Sequence, residues 1–361
     1  MMTSKERVLA AVAHRDWRGT GGGGDRAPIT FDAEGVVYDM LYKHFGHRSK
    51  EKLFDALGCD TWMVLPKNYI MPAAEKGKPG KTTIWGWSNT VVKCPSREGG
   101  EYSELLHSPL AETDDLSAID KHPWPDISAH DYSDFDTNAI AHADRAIIAA
   151  SSWGTYFIAS FLRGMEGILM DFAINQSYVE KLFGTITERV LALLDNMLDN
   201  HADHIDIVYM ADDYCSQLAP LFSPDTFKRY VTPYLKQVVE HTHRKNKKFL
   251  LHVCGAVRPL LPMIIDCGVD MLEPIQITAT GMEPAALKRD FGKHLCFYGG
   301  MDLQQSLNRG TPQTVADETR RLIDILGHNG GYIFGPGHTY IQADAPLENI
   351  LAMYETARNH K

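Results

Sequence analysis

Long apolar runs are missing from this chain of 361 residues; none approaches the ~18 that suggest a membrane-spanning helix. Basic residues are scarce as well. Lys and Arg number 36 against 46 Asp and Glu, a formal net charge of −10. A protein that lives by phosphate contacts concentrates Lys and Arg, so no nucleic acid is expected as a partner. A membrane surface is disfavoured for the same reason. Cysteines are few: Cys59, Cys94, Cys215, Cys254, Cys267 and Cys296, scattered and without a CxxC pair. That is not a disulfide scaffold, and the chain reads as a reducing, cytoplasmic protein. Its opening residues, MMTSKERVLAAVAHRD, lack the apolar block of a signal peptide and read as an amphipathic helix over 3–14. Repeats and low-complexity tracts are absent too. GTGGGGD at 19–25 is rich in glycine, but no Lys-Ser or Lys-Thr follows and it leads into a strand. A phosphate loop leads into a helix, so this reads as a surface loop.

What is present is ample material for a core: 44% of residues are apolar. Short apolar strands alternate with longer helical patterns. The strands fall at 28–32, 60–65, 146–151, 205–210, 249–253, 269–273, 294–298 and 331–334. Their near-continuous apolar character fits parallel strands buried on both faces. Helix starts are marked by Ser223-Pro224-Asp225 and Thr311-Pro312, each a hydroxyl cap followed by proline. Val315, Thr319, Leu322, Ile323 and Leu326 share one helical face. The helix over 256–267 stops at Gly268. Eight strands, most followed by a helix, predict an α/β fold of the (β/α)8 type, a TIM barrel; a doubly wound open sheet is the competing topology. The chain 1–361 reads as a single barrel. Its segment 67–145, rich in Gly and Pro and closed by HPWPD at 122–126, is a β-hairpin-type insertion after the second strand.

In a barrel the chemistry sits at the C-terminal ends of the strands. There the sequence places Asp212-Asp213, His252-Val253-Cys254-Gly255, Glu273-Pro274, Gly300-Met301-Asp302 and Gly337-His338. His252 and Cys254 are the sharpest pair. Residues i and i+2 of a strand point the same way, roughly 6.5 Å apart, so an imidazole and a thiolate could share a metal. Zinc accepts that mixture and, in catalytic sites, takes three protein ligands and an open position. The plain alternative is a half-buried His and a small Cys filling a barrel layer. His338, on a Gly-Pro-Gly turn with little structural need for imidazole, is a third ligand, a general acid/base or a substrate donor. Adjacent Asp212 and Asp213 face opposite sides of a strand, with Asp212 the candidate for the site. Glu273 is a ligand or a base, or it caps the next helix. Asp302 suits a helix cap. Arg163 either binds an anion or ties two loops together. Tyr214 and Cys215 receive no role.

At these residues the chain resembles the uroporphyrinogen decarboxylase superfamily, from KERVLAAVAHRD to APLENILAMYETA. The most specific stretches are LFSPDTFKRYVTPYLKQVV, FLLHVCGAVRPLLPMIIDCGVDMLEPIQ, FYGGMD and FGPGHTYIQADAPLENI. The resemblance implies a single (β/α)8 barrel and offers two chemistries. True decarboxylases use no metal and grip a porphyrinogen with arginines after the first strand and an Asp near the second. Here Asp32-Ala33-Glu34-Gly35 follows the first strand, with no Arg before Arg48, and Pro66-Lys67-Asn68 follows the second. The other branch is zinc-dependent and moves methyl groups between a small donor or thiol and cobalamin on a corrinoid protein. Its zinc is held by a His-x-Cys pair and a later Cys in a Pro-Gly-Cys turn. His252 and Cys254 match the pair, and His338 stands where the later Cys would be. The resemblance therefore implies zinc on His252, Cys254 and His338, with Asp212 or Glu273 handling a proton or completing the shell. It implies a corrinoid partner protein and a possible homodimer. A decarboxylase with Arg163 or Arg258 in place of the clamp is the alternative, and a non-catalytic tetrapyrrole-binding barrel is the third.

Overall fold

The computed structural model describes residues 2–17, 25–67, 83–93, 101–126, 128 and 130–361. The glycines of 19–24, Cys94 and part of the expected insertion lie outside them. Strand β1 is Thr61–Val64, followed by β2 (Ser88–Lys93) and β3 (Glu101–His107). Then come β4 (Ala146–Ala149), β5 (Ile207–Ala211), β6 (Lys248–His252), β7 (Met271–Glu273), β8 (Cys296–Met301) and β9 (Tyr332–Pro336). Seven of them form one sheet in the order β1-β4-β5-β6-β7-β8-β9, and every recorded pairing within it is parallel. The remaining two, β2 and β3, pair antiparallel within the segment that separates β1 from β4.

Met63, Ile148, Tyr209, Leu250 and Tyr298, from β1, β4, β5, β6 and β8, line one cavity of about 600 Å³. Side chains from five strands reach the same space only because the sheet curls. Their neighbours in sequence, such as Ile147 and Leu251, are buried on the opposite face of the sheet.

The strand expected at 28–32 is instead an isolated bridge between Ile29 and Phe334. Thr30 N–H donates to Phe334 O and Phe334 N–H to Pro28 O, each at 2.8 Å. On the other side, Asp60 N–H donates to Ile29 O at 2.7 Å. At its N-terminal end the pairing stops for a physical reason. Pro28 has no N–H, and the N–H of Ile29 is taken by the Asp60 carboxylate at 2.7 Å. Asp60 is buried and is held in place by Arg7 and Arg26 at 2.5 and 2.6 Å.

The helix signals act where they are written. Thr3 and Glu6 form a capping box for Ser4–Val12. Ser223 accepts from Thr226 N–H and starts Pro224–Tyr230. Thr311 starts Pro312–Leu326, whose Val315, Thr319, Leu322, Ile323 and Leu326 are all buried. The expected helix over 256–267 is split into a 3-10 turn, Arg258–Leu260, and a helix, Leu261–Asp266. Strand register then sets the site: β5 and β6 align Ala211 with His252, and β6 and β7 align His252 with Glu273.

Candidate metal centre at the strand ends

His252 ends β6 and is buried. Its register partner Glu273 is buried as well and meets His252 Nδ1 through Oε2 at 2.5 Å. The other ring nitrogen, Nε2, lies 3.3 Å from Cys254 Sγ and 3.7 Å from Asp213 Oδ1. Cys254 N–H donates to the same Asp213 oxygen at 2.9 Å, which fixes the carboxylate. One ligand atom each from Asp213, His252 and Cys254 therefore lies within 4.8 Å of the other two. Usual Zn–N, Zn–O and Zn–S lengths place tetrahedral ligand atoms roughly 3.3–3.6 Å apart, close to the separations of His252 Nε2 from Cys254 and from Asp213, 3.3 and 3.7 Å. The mixture of N, S and O donors suits zinc as well.

The turn that carries Cys254 depends on Gly255. Its φ is +88°, and a Cβ there would meet Ser216 O at 2.3 Å.

Charge in the cluster follows from its geometry. Burial works against protonating His252, but the Glu273 carboxylate and Cys254 raise its pKa well above the ordinary value. Burial pushes the Cys254 thiol up, against the pull of His252. A cation entering the cluster would replace the Nε2 and thiol protons, which is how metal binding couples to proton release.

Asp212 and Asp213 exchange the places expected for them. Asp212 is buried and does not join the cluster. It accepts from Phe157 N–H at 2.6 Å, Tyr156 N–H at 3.3 Å and Tyr214 O–H at 2.8 Å. It thereby caps the helix Thr155–Arg163 from across the strand, a task that the helix's own cap residue, Gly154, has no side chain to perform. Gly154 must be a glycine here, because a Cβ would lie 2.2 Å from Asp212. Asp213, one residue further on, turns toward His252. Burial drives the Asp212 pKa up to about 7 against its three donors.

His338 lines the cavity beside Glu273 but stands outside the group of three ligand residues found among the described residues. Burial lowers its pKa, and the neighbouring His252 lowers it further. Asp302 is a cap, accepting from the N–H groups of Gln304, Gln305 and Ser306. Arg163 ties loops together. It pairs with Asp171 at 2.7 Å and Asp114 at 2.6 Å and donates to the carbonyls of Leu110, Ala111 and Thr113. Arg258 bonds Asp290 and Gly281 O. Neither arginine is left to grip a substrate carboxylate.

Sequence reasoning did not bring out two features. Asp213 was hidden by its neighbour. At the cavity floor, Thr30 Oγ1 meets Tyr298 OH at 2.5 Å and Thr61 Oγ1 at 3.0 Å, a polar contact that depends on the bridge at 28–30. The five described cysteines, Cys59, Cys215, Cys254, Cys267 and Cys296, are all free thiols. No helix among the described residues is long and apolar enough to cross a membrane.

Curled parallel sheet and strand-end cluster place the chain among α/β proteins with a site at the carboxyl ends of the strands. It belongs to the uroporphyrinogen decarboxylase (URO-D) family, whose model matches residues 124–360. The methylcobamide:CoM methyltransferase MtbA of Methanosarcina acetivorans is 23% identical over 219 residues, 59% of this chain and 58% of that protein. The methylcobamide:CoM methyltransferase MtaA of Methanosarcina barkeri is 26% identical over 200 residues, 55% of this chain and 54% of that protein. The chain thus matches little more than half the length of these curated relatives. A solved structure of a methyltransferase from Methanosarcina mazei shares the fold over 99% of both chains, with a TM-score of 0.63 and 18% identity.

Proposed function

We propose that this protein is a zinc-dependent methyltransferase that moves a methyl group between a corrinoid, carried as cobalamin on a partner protein, and a small thiol acceptor or methyl donor. The observation that carries the reading is the cluster of Asp213, His252 and Cys254, whose ligand atoms lie within 4.8 Å of one another. The names of the relatives MtbA and MtaA, methylcobamide:CoM methyltransferases, support the corrinoid part. Zinc bound there would supply the positive charge that keeps a substrate thiol deprotonated and nucleophilic near neutral pH.

The chain's own residues have separate tasks in this reading. Glu273 holds the Nδ1 proton of His252 and so leaves Nε2 as the ligand atom. Cys254 and Asp213 add two negative donors. His338, on the cavity wall with its pKa lowered by burial, is the candidate proton acceptor for the thiol; its Nδ1 accepts Tyr340 N–H at 3.4 Å, a weak bond that a substrate proton would have to displace. The apolar wall of Met63, Ile148 and Leu250 excludes water from the reacting end of a small substrate. We also read the whole chain as one (β/α)8 barrel. It closes through residues 28–30, which bond β9 on one side and Asp60 on the other, and 67–145 is its insertion.

The decarboxylase alternative needs an arginine clamp, and both candidates, Arg163 and Arg258, are committed to ion pairs. The test is to load the protein with zinc and follow loss of methylcobalamin absorbance with a panel of small thiols. Thiol-dependent demethylation that Cys254→Ser abolishes supports the reading. No demethylation with any thiol, together with carbon dioxide release from uroporphyrinogen, overturns it.

A further inference from the structure

Outside the candidate metal cluster, the mouth continues into a groove of about 430 Å³ that runs from His338 past Gln276 to Gln217 and Gln304. Carboxamides dominate its polar wall, and no Lys or Arg lines it. Their hydrogen-bonding capacity is only partly used. Gln276 Oε1 accepts from Gly255 N–H at 2.8 Å and from Gln217 Nε2. That leaves Gln276 Nε2 and Gln217 Oε1 without a partner among the described residues, and the Gln304 side chain has none either. Gln304 and Gln217 are exposed at the rim, and Gln276 is half-buried.

We infer that Gln217, Gln276 and Gln304 form a subsite for the primary carboxamide side chains on the edge of a corrin ring. The inference rests on the corrinoid reading above and adds to it which part of the corrinoid this chain grips. A primary amide both donates and accepts, so it pairs with another amide in both directions. The corrin periphery carries such amides in a ring. An edge laid in this groove would offer N–H donors to Gln217 Oε1 and Gln304 Oε1 and a carbonyl to Gln276 Nε2. The groove shares His338 with the substrate cavity, whose wall includes Glu273, the hydrogen-bond partner of His252. Gln276 also bonds the N–H of Gly255, next to Cys254, and so ties this subsite to the metal cluster.

The test compares two free corrinoids, both as dicyano complexes so that no side chain can ligate cobalt. Dicyanocobinamide keeps its primary amides. Dicyano heptamethyl cobyrinate carries methyl esters in their place, which accept hydrogen bonds but donate none. Binding to zinc-loaded wild-type protein is measured by quenching of tryptophan fluorescence. The subsite predicts about tenfold tighter binding of the amide form, the worth of one or two hydrogen bonds. In a Gln217→Ala, Gln304→Ala double variant that keeps its zinc and its unfolding temperature, the preference should collapse toward one. If both corrinoids bind wild-type protein equally well, this subsite is wrong while the corrinoid reading stands. If neither binds, subsite and corrinoid partner fall together, and the zinc content decides the metal reading separately.

Discussion

His252 gives Nδ1 to Glu273 at 2.5 Å and thereby turns Nε2 toward Cys254 Sγ, 3.3 Å away. The pairing follows from sheet register, since β6 and β7 set the two residues side by side. A carboxylate behind a ligating imidazole fixes the tautomer and makes the ligand nitrogen more basic.

Glu273→Gln keeps an acceptor for the Nδ1 proton but removes the charge. Zinc affinity, measured by competition with a chromophoric chelator, should fall by roughly 10- to 100-fold, as is usual when such a partner is lost. Unchanged affinity would mean that Glu273 serves only the fold.

The two neighbouring aspartates should separate cleanly. Asp213→Ala removes a candidate ligand, so zinc binding should weaken while the folded state survives. Asp212→Ala strands the N–H groups of Tyr156 and Phe157 and the hydroxyl of Tyr214. Its cost should be about 2–4 kcal/mol in denaturant unfolding, with zinc stoichiometry retained.

Asp212 also predicts a pH dependence. Its folded pKa is raised to about 7, so the folded state keeps that proton after the unfolded chain has lost it. By linkage, the contribution of Asp212 to stability is fully present below the ordinary carboxylate pKa and is lost as pH rises toward 7. Asp212→Asn removes this titration. The stability difference between wild type and variant should therefore move in the variant's favour between pH 4 and 7 and level off above. A flat difference would show that Asp212 is already charged at pH 4.

His338→Ala should leave bound zinc in place and slow thiol methylation, because His338 stands outside the three-residue cluster. Loss of zinc in this variant would make His338 a ligand, as its position in the Gly-Pro-Gly turn first suggested.

Much of this was legible in the sequence, and the rest was hidden for definite reasons. The spacing of two residues was enough to bring His252, the last residue of β6, and Cys254, in the turn just after it, together. Caps such as Ser223 and Thr311 are local chemistry and are read locally. Register between strands is not local, so the bond from His252 to Glu273 could not be read from either strand alone. Nor could the choice between Asp212 and Asp213. It is made by the start of the helix Thr155–Arg163, which claims Asp212, and by Cys254 N–H, which claims Asp213. The strand expected at 28–32 is only a bridge to Phe334; Pro28 has no N–H to extend it toward β9, and on the other side Asp60, from far along the chain, takes the N–H of Ile29.

The most direct measurement is metal content by plasma mass spectrometry, on protein purified without a metal-affinity tag, beside Cys254→Ser. The account predicts about one zinc per chain in the wild type and its loss in the variant, as expected for one catalytic-type site. No stoichiometric zinc in the wild type, even after zinc is supplied, would contradict it and return His252 and Cys254 to barrel packing.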